Sequence, residues 1–115
     1  MGISRSLLFA PEIVDNAAPD DLISVAASPA TLLLINGRVR FVNYSAGAVT
    51  ITAWAVPSGG TAGNDNICLP VTSINANSYL DMDVPQLGAG GKLQAQAGAA
   101  TSITAQALDG ALYSV

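Results

Sequence analysis

The chain has 115 residues, enough for one domain that buries about two thirds of its unfolded surface but not for a second core. Half of the residues are apolar and only 5% aromatic, so the core has to be built from Val, Ile, Leu and Ala in thin layers. Charged residues make up 10%, against ~25% in ordinary domains, and a net charge of −4 with four Lys/Arg excludes a basic nucleic-acid footprint; the deficit points to a surface covered by other protein, as in a homo-oligomer or assembly subunit.

Residues 1–21, MGISRSLLFAPEIVDNAAPDD, hold half of the acidic residues and two of the six prolines, with no sustained period. Pro11 and Pro19 disfavour a long helix or a central strand. The segment therefore reads as an extended N-terminal arm ahead of a domain at 22–115. Leu7, Leu8, Phe9, Ile13 and Val14 are costly to leave in water, which makes them candidate contacts for docking on the chain's own body or on a neighbour. Fully extended, about 20 residues reach ~66 Å. Leu7 to Ala10 follow a single Arg5 and are too short for a signal-peptide core of about 7–15 residues. No apolar run approaches the ~20 residues that span a bilayer. A soluble chain with no export signal and no membrane contact is expected, and a single cysteine, Cys68, fits a reducing compartment.

From Leu22 the pattern becomes strand-like: LISVA, then ATLLLI after Ser28-Pro29. Asn36-Gly37 follows, and Asn-Gly between apolar runs predicts a type I′ hairpin, because both residues accept positive φ. Val39 and Phe41 then share one face and Arg38 and Arg40 the other. The strand AVTITAWAV sets Val49, Ile51, Ala53 and Ala55 against Thr50, Thr52, Trp54 and Val56. Pro57 ends it, and Ser58 to Asn66 read as a long mobile loop. Pro70 assigns the return strand Ile67–Ile74 to a sheet edge. Asn75-Ala76-Asn77 turns the chain again, and Gly88, Gly90 and Gly91 supply the next turn. Leu93, Ala95 and Ala97 alternate with Gln94 and Gln96; beyond Gly98, Ile103, Ala105 and Ala107 alternate with Thr104 and Gln106. Asp109-Gly110 predicts a last hairpin. Roughly eight short strands at this spacing indicate an all-β, antiparallel β-sandwich of jelly-roll-like topology. Their outward Thr, Gln, Ser and Ala suit contact with protein, which makes Trp54, Gln94, Gln96 and Gln106 candidate partner contacts.

Chemistry finds little to stand on. Histidine is absent, which removes the commonest general base and metal ligand and with them the His-dependent triads. Cys68, between Ile67 and Leu69, reads as a small buried hydrophobe. Asp81 and Asp83 share a strand face and fit a solvated surface better than a cation site or an acid–base pair. Asn64-Asp65-Asn66 lacks the spacing and terminal Glu of a calcium loop, and the glycines from Gly59 to Gly63 lack the Lys-Ser/Thr of a phosphate loop. Met1-Gly2 with Ser6 and Asn43-Tyr44-Ser45 match the short patterns for myristoylation and N-glycosylation. No catalytic residue, cofactor or metal site is expected.

The succession VRFVNYSAGAVTITAWAVPSGGTAGNDN, INANSYLDMDV and LGAGGKLQAQAGAATSITAQALDG, over about residues 38–110, resembles the small β-sandwich proteins of tailed bacteriophage virions that serve as capsid cement or decoration proteins, or as tail and fibre components. The resemblance implies a non-enzymatic structural role in a virion assembled in the bacterial cytoplasm. The implied partners are the major capsid protein or other virion proteins, with copies arranged around the particle's symmetry axes. A tail, baseplate or fibre component is the alternative within that family. From another class, a carbohydrate-binding sandwich would use Trp54, Tyr44 or Tyr79 as stacking platforms.

Overall fold

The structure is a computed structural model and describes residues 2–4, 8–28 and 31–114. Ten strands account for its regular structure: β1 (Gly2–Ser4), β2 (Glu12–Ile13), β3 (Asp20–Ser24), β4 (Leu33–Asn43), β5 (Val49–Val56), β6 (Ile67–Ile74), β7 (Ser78–Asp83), β8 (Leu87–Gly88), β9 (Lys92–Ala97) and β10 (Ile103–Ser114). They form two antiparallel sheets. In sheet A, β10 and β4 lie side by side, with β2 and β1 along the outer edge of β10 and β7 and β8 along the outer edge of β4. Sheet B has the order β3-β9-β5-β6.

The pairings β5 with β6, β4 with β7, β3 with β9 and β2 with β10 are those of one long hairpin, its tip at residues 57–66. Pairing of β4 with β10 and of β5 with β9 rolls that hairpin up. This is the jelly-roll connectivity, an arrangement that folds one hairpin into two stacked Greek keys. The expected all-β, jelly-roll-like sandwich is what forms.

Alternation builds the core, because a period of two sends every second side chain between the sheets. Leu34, Val39 and Phe41 from β4, Ile51 and Ala53 from β5, Leu93 and Ala95 from β9, and Ile103 and Ala105 from β10 are all fully buried. Burying a side chain such as Phe41 contributes about 1.5–3 kcal/mol. Alanines in β5 and β9, paired as Ala53–Ala95, keep the stack thin, and the shortest principal dimension is 17 Å.

Residues 1–21, expected as an arm, carry β1 and β2, both paired with β10. Val14 is 1% exposed and donates its N–H to the Ile103 carbonyl, while Leu8 and Phe9 pack half-buried against the core. Among the described residues this segment lies on the chain's own sandwich.

Two predicted hairpins do not form. Asn36-Gly37 lies inside β4 and Asp109-Gly110 inside β10, and the two dipeptides face each other where the β4–β10 register breaks. Asn36 takes φ 56°, but Gly37 stays outside the positive-φ region that a type I′ turn demands. The reason is burial on both sides of the break: Leu34 and Ala111 lie beyond it and Val39 and Ala105 before it, so continuing both strands covers more apolar surface than reversing them. At Gly110, φ 141°, a Cβ would stand 2.7 Å from Leu8 Cδ1 and 3.2 Å from Gly37 Cα. Glycine lets the two bent strands and Leu8 meet there. Past the bend the edge partners change, from β7 to β8 and from β2 to β1.

The loop from Ser58 to Asn66, expected to be mobile, is tied by its own bonds. Asn66 accepts at Oδ1 from the Gly63 N–H and donates from Nδ2 to the Thr61 carbonyl, and Gly60 N–H reaches the Pro57 carbonyl at 2.9 Å. Pro70 sits in β6 at the edge of sheet B, as its missing N–H requires.

Candidate functional site

The outer face of sheet B is nearly free of charge. A single row crosses all four strands, Ile67 of β6, Trp54 of β5, Gln94 of β9 and Asp21 of β3, each opposite the next in the register. The neighbouring row pairs Thr52 with Gln96, and Thr50 lies opposite Ser73. Charge enters only at the margin, where Lys92 Nζ stands 3.7 Å from Asp21. Trp54 is half-buried, Ile67 is exposed, and Val71 on the β6 edge is 69% exposed. Gln94 donates to Asp21 and Gln96 donates to the Asn16 carbonyl at 3.0 Å. Gln94 thus ties β9 to β3 itself, and Gln96 ties it to the segment leading into β3.

The outer face of sheet A is different. Ile13, Thr104, Val42 and Tyr79 form one row across β2, β10, β4 and β7, and Gln106, Arg40 and Asp81 form the next. Arg40 grips Asp81 with two bonds, Nε to Oδ1 at 2.7 Å and a terminal nitrogen to Oδ2 at 3.0 Å, while its guanidinium carbon lies 4.2 Å from the Tyr79 ring centre. Bidentate pairing combined with ring stacking is what a planar guanidinium does well. Arg38 reaches Asp83 at 3.2 Å. The Arg40 bond holds the Asp81 carboxyl below its usual range, and the same bond raises the guanidinium. Asp81 and Asp83 therefore each pair with an arginine of the neighbouring strand. Among the described residues no group of three or more His, Cys, Asp or Glu is placed to hold a metal ion.

Other candidates take structural roles. Cys68 is half-buried against the core, and burial pushes its thiol up, away from the reactive thiolate. Asn43, first residue of the glycosylation pattern, has no exposed surface, and its amide nitrogen faces the carbonyl oxygens of Gly47, Ile74 and Asn75. A glycan cannot be attached to it in the folded chain. Burial, followed by the nearby Asp20 and Asp21, raises the Glu12 carboxyl.

The predicted contact residues do not form one surface. Trp54, Gln94 and Gln96 come together on sheet B, whereas Ile13 and Gln106 lie on the outer face of sheet A. Leu8 and Phe9 are half-buried on the core and Val14 is inside it, so Val14 presents nothing to a partner. Leu7 lies outside the described residues. Sequence reasoning missed Tyr79 with Arg40 as a paired unit and Ile67 beside Trp54. The signal for the first was present as Arg-x-Arg in one strand and Asp-x-Asp in another, but it becomes readable only once β4 and β7 are known to be neighbours.

Comparison with protein-family models finds no match, and comparison with curated protein sequences finds none either. Among solved structures, the chain is similar to one described as the structure of infectious bursal disease virus Gx strain, at 18% identity and TM-score 0.51, over 96% of this chain and 30% of that one. It also resembles the infectious bursal disease virus VP2 subviral particle, at 14% identity and TM-score 0.40, over 96% of this chain and 31% of that one. A third similar structure is the T=1 particle derived from infectious bursal virus, at 14% identity and TM-score 0.36, over 96% and 30%. The first of these likenesses is one of fold, and this chain spans less than a third of the chains it resembles.

Proposed function

We propose that this chain is a non-enzymatic structural subunit of a virus particle and, more finely, a capsid cement or decoration protein of a tailed bacteriophage, binding the major capsid protein through the outer face of sheet B. The observation that carries this reading is the composition of that face: Trp54 and Ile67 amid Thr50, Thr52, Gln94 and Gln96, with charge confined to its margin. Protein interfaces deplete charge at their centre and enrich aromatic anchors there. Sheet A's outer face, in contrast, satisfies its charges internally. The fold likeness to a virus structure supports the same reading, since jelly rolls recur in capsid domains. In this reading copies cluster around the particle's symmetry axes, and the protein resides in the virion.

The test is location followed by a face-directed variant. Electron microscopy of purified particles, together with mass spectrometry of their proteins, is expected to find the chain on the head surface. Trp54→Lys is expected to weaken its binding to particles lacking it by about 30-fold or more, the loss that follows removal of a ≥2 kcal/mol anchor, with the fold intact by circular dichroism. Absence from virions overturns the virion reading. Density on the tail overturns cement in favour of a tail component, and undiminished binding of the variant overturns the assignment of the face.

A further inference from the structure

We infer that Asn36 is a site of spontaneous covalent modification, losing its side-chain amide through a cyclic imide with Gly37 in the folded protein. Three features of the bend in β4 converge there. The next residue is glycine, so no Cβ shields the backbone nitrogen that must attack. Neither Asn36 nor Gly37 has a partner in any strand register: β10 pairs resume only at Ile35 with Ala111 and Arg38 with Asp109, β7 begins at Arg38, and β8 reaches only Leu34. Asn36 itself is exposed, at φ 56°, and its side chain has no hydrogen-bond partner among the described residues. The Val84 N–H anchors the Gly37 carbonyl at 2.7 Å, and Gly37 itself is buried beside Val84, so the ring closes at the inner side of an exposed asparagine.

The chemistry balances with water as the only co-reactant. The Gly37 nitrogen loses its proton and bonds to Asn36 Cγ, and ammonia leaves with that proton. Water then opens one of the two imide carbonyls, returning either an aspartyl residue or an isoaspartyl residue whose main chain runs through the former side chain. Either product adds a carboxylate to a cleft of about 440 Å³ lined by Arg38, Asp83 and Asp109. The isoaspartyl product also lengthens β4 by one backbone atom at the bend, beyond which β4 pairs with β8 and β10 with β1. Ageing at this position therefore loosens one end of sheet A and leaves the other alone.

Asn77 is an internal comparison, since it is also exposed with positive φ, 54°, but is followed by Ser78. Asn43 is a buried one, its amide engaged on both sides. Purified full-length protein is incubated at mildly alkaline pH and digested at intervals, and peptide mass spectrometry with an isoaspartate-specific enzymatic assay follows each asparagine. The expected result is amide-to-acid conversion at Asn36 several-fold faster than at Asn77 or Asn43, with an isoaspartyl product. Asn36→Gln, whose ring closure is one atom longer, is expected to remove it. Conversion of Asn36 no faster than Asn77, in protein whose circular dichroism is unchanged, overturns the inference, as does conversion seen only after denaturation.

Discussion

Asn43 offers the sharpest test of how the two sheets are joined. It ends β4 in sheet A, yet its amide nitrogen donates to Gly47 O and Ile74 O, both at 2.9 Å, at the ends of the strands of sheet B. Its Oδ1 accepts from the Ser45 N–H at 3.0 Å and the Ser45 hydroxyl at 2.7 Å. Removing the side chain leaves the buried Ile74 carbonyl without this donor and the part-buried Gly47 and Ser45 groups short of a partner. At ~1 kcal/mol net per bond, with buried orphans costing up to ~3 kcal/mol, Asn43→Ala is expected to lose about 3–5 kcal/mol. That corresponds to roughly 15–30 °C in the melting midpoint of a domain this size. Asn43→Asp separates hydrogen bonding from shape. The carboxylate keeps the acceptor toward Ser45 but turns a negative oxygen toward the carbonyl oxygens that the amide nitrogen served. Its folded-state pKa is therefore raised, the native state binds the extra proton, and stability must increase as pH falls from above the folded value to the unfolded one. Urea unfolding of wild type and both variants across an acidic pH series measures this. A deficit below about 1 kcal/mol for Asn43→Ala, or a pH-independent deficit for Asn43→Asp, refutes Asn43 as the joint.

Glu12 and Asp81 should respond to pH with opposite signs. Glu12's pKa is raised by burial, so its ionised form opposes folding; the penalty is complete above the raised pKa and disappears as pH falls below the unfolded value, and Glu12→Gln is expected to raise neutral-pH stability and flatten that part of the profile. Asp81's pKa is lowered by Arg40, so its contribution is present above the unfolded pKa and is lost as pH falls through the folded one; Asp81→Asn is expected to destabilise at neutral pH and to match wild type in acid, both read by thermal melts. Pro70→Thr restores an N–H and β propensity to the edge strand β6 beside exposed Val71, and is expected to raise concentration-dependent association by light scattering while changing stability little. Gly98→Ala drives a Cβ into Thr50 Oγ1 and is expected to cost about 1–3 kcal/mol, most of it recovered in the Gly98→Ala/Thr50→Ala double variant; additive losses in the cycle would show that the contact is not the cause.

Most of the fold was legible because burial in a thin sandwich is written in a period of two. Val39 and Phe41, Ile51 and Ala53, Leu93 and Ala95 all fall inside where alternation puts them. The strand Ile67–Ile74 was placed at an edge by one proline. Asn36-Gly37 and Asp109-Gly110 misled because the rule for Asn-Gly hairpins is local, while the outcome here is set by two strands facing each other. Each dipeptide alone would turn the chain. Opposed across a ladder, with apolar residues beyond both, they bend it instead.

The candidate surface was legible in kind but not in place, and the reason is geometric. Alternation states that Trp54, Gln94, Gln96 and Gln106 point outward; it cannot state which sheet each belongs to, and that alone decides which of them can touch one partner. Strand order puts β9 beside β5 and β10 beside β4, so Gln94 and Gln96 join Trp54 while Gln106 falls next to Arg40 on the opposite face. The same order explains how the few charges were used. Arg38 and Arg40, two apart, neutralise Asp83 and Asp81, two apart, only if β4 and β7 are antiparallel neighbours in register. Because sheet A absorbs those four charges internally, sheet B can remain neutral without help from a partner's counter-ions. A neutral face formed in that way carries little desolvation cost on association, since unpaired ionic groups are what make burial expensive.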